Sequence, residues 1–223
     1  MTILLLVVFT IVIGITIDYF IQRKKKETSS VASRISHLSP STILPLVPEG
    51  AFLQSTFTWS RILDSGNLII GIHPLLCGLI GKPEKYQKLN EGQKFQKGDT
   101  VLTLQKGMKK LHVKSPIKGT INSINPKFTE AAWENLGNIW LYSITPDNLS
   151  SEVPNWYLAD KARTWITQKI EEIRSFLNNN VSHKQVGLTL ADGGELHVGV
   201  LSQFDNKIWE DFEEEFFRSQ KTN

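Results

Sequence analysis

The sequence holds a single cysteine, Cys77, and beyond Met1 a single methionine, Met108, in 223 residues. A lone cysteine excludes an internal disulfide and suits a reducing compartment. The five histidines, at 37, 73, 112, 183 and 197, include no two on one helical face at ligand spacing. With no cysteine pair to help, a metal site is not expected. No glycine-rich loop opens a helix to cradle phosphate, and no nucleophile–base grouping stands out. No catalytic residue is therefore assigned, and the chain does not read as an enzyme. Neither charge sign dominates, since 25 Lys and Arg face 22 Asp and Glu. Aromatic residues are not interleaved with the lysines, which argues against nucleic acid as a partner. A hydrophobic content of 40% and a charged content of 21% are those of a folded globular protein.

Basic residues are also absent ahead of the first apolar run, which excludes the usual layout of a cleavable signal peptide. Ile3 to Ile17 carry no charge, and the run extends to Ile21 with Asp18 at the interface. That is long enough to span a bilayer. Tyr19 and Phe20 suit the aromatic belt, and Arg23, Lys24, Lys25 and Lys26 follow as a basic flank. The positive-inside rule then predicts a single-pass anchor in an inner or cytoplasmic membrane, N-terminus outside and C-terminal domain cytoplasmic. Residues 1–26 form this anchor and flank. Residues 27–47, with six serines, two prolines and a third at Pro48, read as a linker. A random coil of that length reaches ~25 Å.

From 48 to 152 the strands are short and turn residues recur, a pattern of a small sandwich or barrel. Two β-rich runs flank Asp64, Ser65 and Gly66 as a hairpin, and Pro74 to Gly81 reads as a short buried helix or turn. Several quoted pieces resemble, in order and spacing, the H protein of the glycine cleavage system, within the lipoyl/biotinyl group. They are "VPEGAFLQSTFTW", "LIIGIHPLLCGLIG", "EGQKFQKGDTVLTL", "SPIKGTI" and "INPKFTEAAWENLGNIWLYSITPDNLSSE". The resemblance implies a mainly β fold, a lipoyl/biotinyl-type barrel-sandwich hybrid, with a lipoyl lysine at one hairpin tip.

At that tip the sequence departs from the family. In H proteins the arm-bearing lysine lies eight residues before the proline of an Ala-Pro pair, and counting back from Pro116 reaches Met108. A methionine has no amine to acylate, so the resemblance implies a module without cofactor. Lys109 is the alternative attachment point for covalently bound lipoate, because a bulge shifts register by one residue. Lys106, Lys109, Lys110 and Lys114 are candidate docking residues. Eleven lysines and three acidic residues lie between Lys82 and Lys127. A basic face below a membrane suits anionic lipid, while lysines on strand edges also serve to discourage edge pairing.

Residues 153–223 read as an extension: a helix capped by Asn155 and ended by Asn178 to Asn180, a hairpin around Asp192-Gly193-Gly194, and an acidic amphipathic helix with Ile208 or Trp209, Phe212 and Phe216 on one face. Its acidic face is expected either in solvent or against lysine-rich turns. The leading functional reading is a non-catalytic, membrane-anchored H-protein-like module that binds or scaffolds a larger membrane complex. A lipoyl carrier modified at Lys109, serving a membrane-associated redox or glycine-cleavage-like system, is the second. An efflux-pump periplasmic adaptor is the third, opposed by the orientation and by the lack of a long helical hairpin.

Overall fold

The computed structural model describes residues 36–129, 133, 139–180 and 196–217. The expected span and its basic flank at Arg23, Lys24, Lys25 and Lys26 lie outside these residues. Among the described residues no helix is long and apolar enough to cross a membrane.

Two sheets form the body. The larger has six strands: β2 (Phe52–Gln54), β3 (Thr58–Ile62), β4 (Leu68–Ile72), β10 (Trp140–Pro146), β9 (Gly119–Ile124) and β6 (Lys94–Phe95), in that spatial order. The smaller has β5 (Lys85–Lys88), β7 (Thr100–Lys106) and β8 (Lys109–Lys114). All pairings are antiparallel. The period-2 pattern of β8 buries Leu111 and Val113 while Lys110, His112 and Lys114 take the other face. The Tyr142 hydroxyl joins the two sheets: it accepts from the Leu89 N–H at 2.8 Å and donates to the Val101 carbonyl at 2.8 Å. Burial pushes this phenol up to about 12, so it stays a neutral donor. Gly71 pairs with Trp59 across β3 and β4, and a Cβ there would lie 2.3 Å from the indole ring. Only glycine lets the indole lie flat on the sheet.

The hairpin of β3 and β4 turns through Asp64-Ser65-Gly66 as expected, with Gly66 at φ +80°. Pro74–Ile80 is a helix whose seven residues are all buried. His73 caps it, its Nδ1 accepting the Leu75 N–H at 3.0 Å.

The linker expected over 27–47 is folded from residue 37 onward. β1 (His37–Leu38) pairs with β11 (Leu196–His197). Helix α1 (Pro40–Ile43) and a 3-10 turn (Leu44–Leu46) follow. The serine and proline that read as tether residues are instead an N-cap and the first helical residue. The Thr42 N–H donates to Ser39 Oγ at 3.3 Å and the Ser39 N–H to Thr42 Oγ1 at 2.9 Å. That reciprocal pair is a capping box. Leu38, Ile43 and Leu46 are buried, so apolar burial holds the segment down. With α1 named, the buried helix Pro74–Ile80 is α2.

Helix α3 runs from Asp160 to Asn180, not from a cap at Asn155. Val153–Asn155 is instead a 3-10 turn, and the next stretch pairs: Leu53 and Tyr157 exchange backbone hydrogen bonds of 2.8 and 2.9 Å. This bridge covers the β2 edge and delays the helix. The expected 186–201 hairpin lies mostly outside the described residues. Its second strand departs from expectation, because Leu196–His197 pairs with β1 and Val200–Gln203 is a 3-10 helix begun by Gly199 at φ +79°. Helix α4 (Asn206–Phe217) buries Ile208, Trp209, Phe212, Phe216 and Phe217.

Nor is the boundary at 152/153 a seam in the packing. Phe57 from the β2–β3 turn meets Trp165 at 5.7 Å, Phe212 at 6.3 Å, Phe216 at 6.4 Å and Phe217 at 5.3 Å. One apolar cluster runs from Leu38 to Phe217.

Candidate functional site: the hairpin tip

β7 and β8 pair up to Lys106↔Lys109, which leaves Gly107 and Met108 as a two-residue turn. Gly107 has φ +59° and Met108 is not among the positive-φ residues, the pattern of a turn that takes glycine first. Met108 is 90% exposed, the most exposed large apolar residue described. The position counted from Pro116 is therefore the apex, and it presents a thioether.

Each neighbour of Met108 along the hairpin is tied elsewhere, except Lys110. The Gly107 N–H donates to Glu84 Oε2 at 2.9 Å, and Gln105 Nε2 donates to the Gly107 carbonyl at 2.9 Å. Lys106 Nζ donates to the Ile80 carbonyl at 3.3 Å, at the C-terminal end of α2, where a cation meets the orphan carbonyls. Burial first, and then the Lys109 charge, pull the Lys106 ammonium below its ordinary range, while Glu84 acts the other way. Lys109 Nζ donates to the carbonyls of Ser202 at 2.6 Å and Phe204 at 2.8 Å, and sits 5.6 Å from the Trp209 ring centroid. Trp209 is fixed in turn, its indole N–H donating to the Leu201 carbonyl at 2.7 Å.

On the same strand, the backbone N–H of His112 and its ring Nδ1 both reach Glu213 Oε2, at 3.0 and 2.8 Å. β8 is one of the two outer strands of its sheet, so this carboxylate occupies an edge amide that a further strand would otherwise take. Lys114 Nζ donates to Thr100 Oγ1 at 2.8 Å. Of the four candidate docking lysines, Lys106, Lys109 and Lys114 are thus engaged within the chain. Lys110 is exposed, beside a groove of about 390 Å³ between Met108 and the acidic face of α4 at Glu210, Glu213 and Glu214.

Residue-level reading of the sequence missed Glu84 and the carbonyls of Ser202 and Phe204. The first is one acid among lysines. The others carry no side-chain signature at all. No grouping of His, Cys, Asp or Glu able to hold a metal occurs among the described residues.

A mainly β body of one six-stranded and one three-stranded sheet, with a tight hairpin presented at its rim, fits the barrel-sandwich class of lipoyl-type domains. No protein-family profile matches the chain. Similar curated proteins are probable glycine cleavage system H proteins. That of Pyrococcus horikoshii is 22% identical over 118 residues, covering 52% of this chain and 88% of the relative. That of Pyrococcus abyssi is 21% identical over the same length, with the same shares. The Thermococcus gammatolerans protein is 23% identical over 114 residues, or 48% of this chain and 82% of the relative. Among solved structures, the glycine cleavage system H protein of Mycobacterium marinum is similar with a TM-score of 0.39 and 18% identity, over 45% of this chain and 87% of that one. The sequence similarities support an H-protein-like fold and a lipoyl-domain-like carrier or scaffold module.

Proposed function

We propose that the protein is a non-catalytic, H-protein-like module that works without a lipoyl arm and docks on a larger protein complex at a membrane. The observation that carries this reading is the hairpin apex. Acylation needs an exposed amine, and the apex residue is Met108, whose side chain has none. Lys109, the alternative attachment point, has its ammonium on two carbonyls and over the Trp209 ring. Modifying it would convert a charged ammonium into a neutral amide with a single N–H, losing at least one of the two bonds and the charge, which speaks against the carrier reading. The rigid tip, held by Glu84, Lys106 and Lys109, instead suits a docking element whose exposed parts are Met108 and Lys110.

Anchoring is the second part of the proposal. The uncharged run from Ile3 to Ile17 and the flank Arg23 to Lys26 support a single span, with the folded part on the cytoplasmic side and in reach of anionic lipid.

Intact mass of the protein isolated from its native membrane tests the first part. The unmodified mass is expected. An octanoyl or lipoyl increment mapped to Lys109 would refute the reading. Affinity recovery of partner proteins supplies the second readout, expected to survive Lys109→Arg and to fall when Met108 and Lys110 are changed together to glutamate. Protease added to intact cells should leave the folded part uncut, and digestion from outside would overturn the orientation.

A further inference from the structure

A cleft of about 470 Å³ lies away from the hairpin tip, between the start of α3, the Ser55 turn and the end of α4. That size falls within the usual range for small-molecule sites. Its apolar lining is three aromatic residues: Tyr157 and Trp165, stacked with centroids 5.4 Å apart and 22° between planes, and Phe216. Trp165 is 5% exposed and Phe216 6%, so these two rings are fixed by the core, with Tyr157 half-buried beside them.

Three of the polar groups around these rings can only donate: the Trp165 indole N–H, Lys161 and Lys169. Neither the Trp165 indole N–H nor the Tyr157 hydroxyl has a hydrogen-bond partner among the described residues, although both side chains line the cleft. Both groups touch solvent and are free to donate to a ligand in the cleft. Lys161 and Lys169 stand at the mouth. Lys169 is paired with Glu172 at 2.5 Å, whereas Lys161 has no partner among the described residues. Asp160 is the one carboxylate in the lining, and it sits in the first turn of the 21-residue helix α3, whose own N-terminal dipole offsets it.

We propose that this cleft binds a small apolar carboxylate. The body of the ligand lies against the Tyr157, Trp165 and Phe216 rings, and its carboxylate accepts from the unpartnered donors and from Lys161. Aromatic and acyl carboxylates share this chemistry, and the test separates them. The site does not depend on the hairpin tip or on the absence of an arm, so either reading can fail alone.

The probe is 4-benzoylbenzoate, photolysed with the full-length protein in lipid nanodiscs, with adducts mapped by peptide mass spectrometry. Saturable labelling between Tyr157 and Lys169 is expected. Thr164 faces the cleft from the exposed side of α3 and bonds only its own helix, to the Asp160 carbonyl at 3.0 Å. Thr164→Trp should therefore fill the cleft, keep the circular dichroism spectrum, and cut labelling by roughly tenfold, while Lys161→Glu should weaken the half-saturating concentration by a similar factor. Protection by 2-naphthoate assigns an aromatic ligand, protection by decanoate an acyl one, and either supports the site. Labelling that does not saturate, or that is unchanged in Thr164→Trp, overturns it. Equal labelling by uncharged 4-methylbenzophenone would remove the carboxylate from the proposal.

Discussion

Acid should weaken this fold through one buried imidazole, and the size of the effect follows from its surroundings. His73 has no exposed surface. Its Nδ1 accepts the Leu75 N–H, which leaves the ring proton on Nε2, and Nε2 has no partner among the described residues. The ring meets Trp165 edge-on at 5.4 Å and 74°. Nothing nearby welcomes a second proton, and burial holds the imidazole down at about 3, from 6.5. Because the folded value is the lower one, the unfolded chain binds the extra proton between those two pH values. The contribution of His73 to stability is therefore complete above pH 6.5 and is lost as the pH falls towards 3. One proton corresponds to about 1.4 kcal/mol per pH unit, so roughly 2.7 kcal/mol should be gone at pH 4.5. His73→Asn keeps an N-cap acceptor and removes the titration. Urea unfolding of a chain beginning at residue 36, followed by tryptophan fluorescence from pH 7.5 to 4.5, gives both curves. Other carboxylates and histidines titrate alike in the two proteins and cancel in the difference. The wild-type curve should fall towards the variant with the stated slope. Parallel curves would show that His73 takes up its proton without unfolding, and the reasoning would be refuted.

Three further outcomes are expected. Lys109→Ala should lower stability by about 1–3 kcal/mol, because two carbonyls lose a charged donor, while Lys109→Arg should retain most of it; Met108→Ala should stay within about 0.5 kcal/mol in the same melts. Gly71→Ala should cost roughly 1–3 kcal/mol through the Trp59 ring, and Trp59→Phe in the same chain should return part of it, as thermal unfolding would show. A chain starting at Pro48 loses Leu38, Ile43 and Leu46 from the core, at about 1.5–3 kcal/mol for each buried side chain. It should aggregate or unfold at temperatures where a chain starting at residue 36 stays monomeric by size-exclusion chromatography.

The parts of the fold that announce themselves in the sequence are those whose signal is local. Asp64-Ser65-Gly66 between two β-rich runs, and the helical spacing of Trp165, Ile166, Ile170, Ile173 and Leu177, are patterns that the structure keeps. The apex is legible by counting from Pro116, because two-residue turns leave no freedom in register. Ser39 and Pro40 are ambiguous in isolation: the same pair marks a loose tether or a helix start, and only the burial of Leu38 and Ile43 decides. The partners of Lys109 were out of reach for a different reason. Backbone carbonyls occur at every residue, so nothing in the letters at 202 and 204 distinguishes them. The shared core of the β body and the C-terminal extension is similarly invisible, since it depends on Phe57 meeting residues more than 100 positions away.

The short pairing of β1 with β11 has a mechanical consequence. Any load entering from residues before Ser36 arrives first at two residue pairs, His37↔His197 and Leu38↔Leu196, and at the Val198 N–H bond to the Ser36 carbonyl. From there the path runs through Gly199, whose N–H is held by the Gly78 carbonyl at 2.7 Å, into the 3-10 turn that offers its Ser202 carbonyl to Lys109. Tension on the N-terminal side is thus delivered to the flank of the hairpin by a route that bypasses the six-stranded sheet. A pull of that kind peels the fold from the rim, and the tip that carries Met108 would register strain while the six-stranded sheet was still intact.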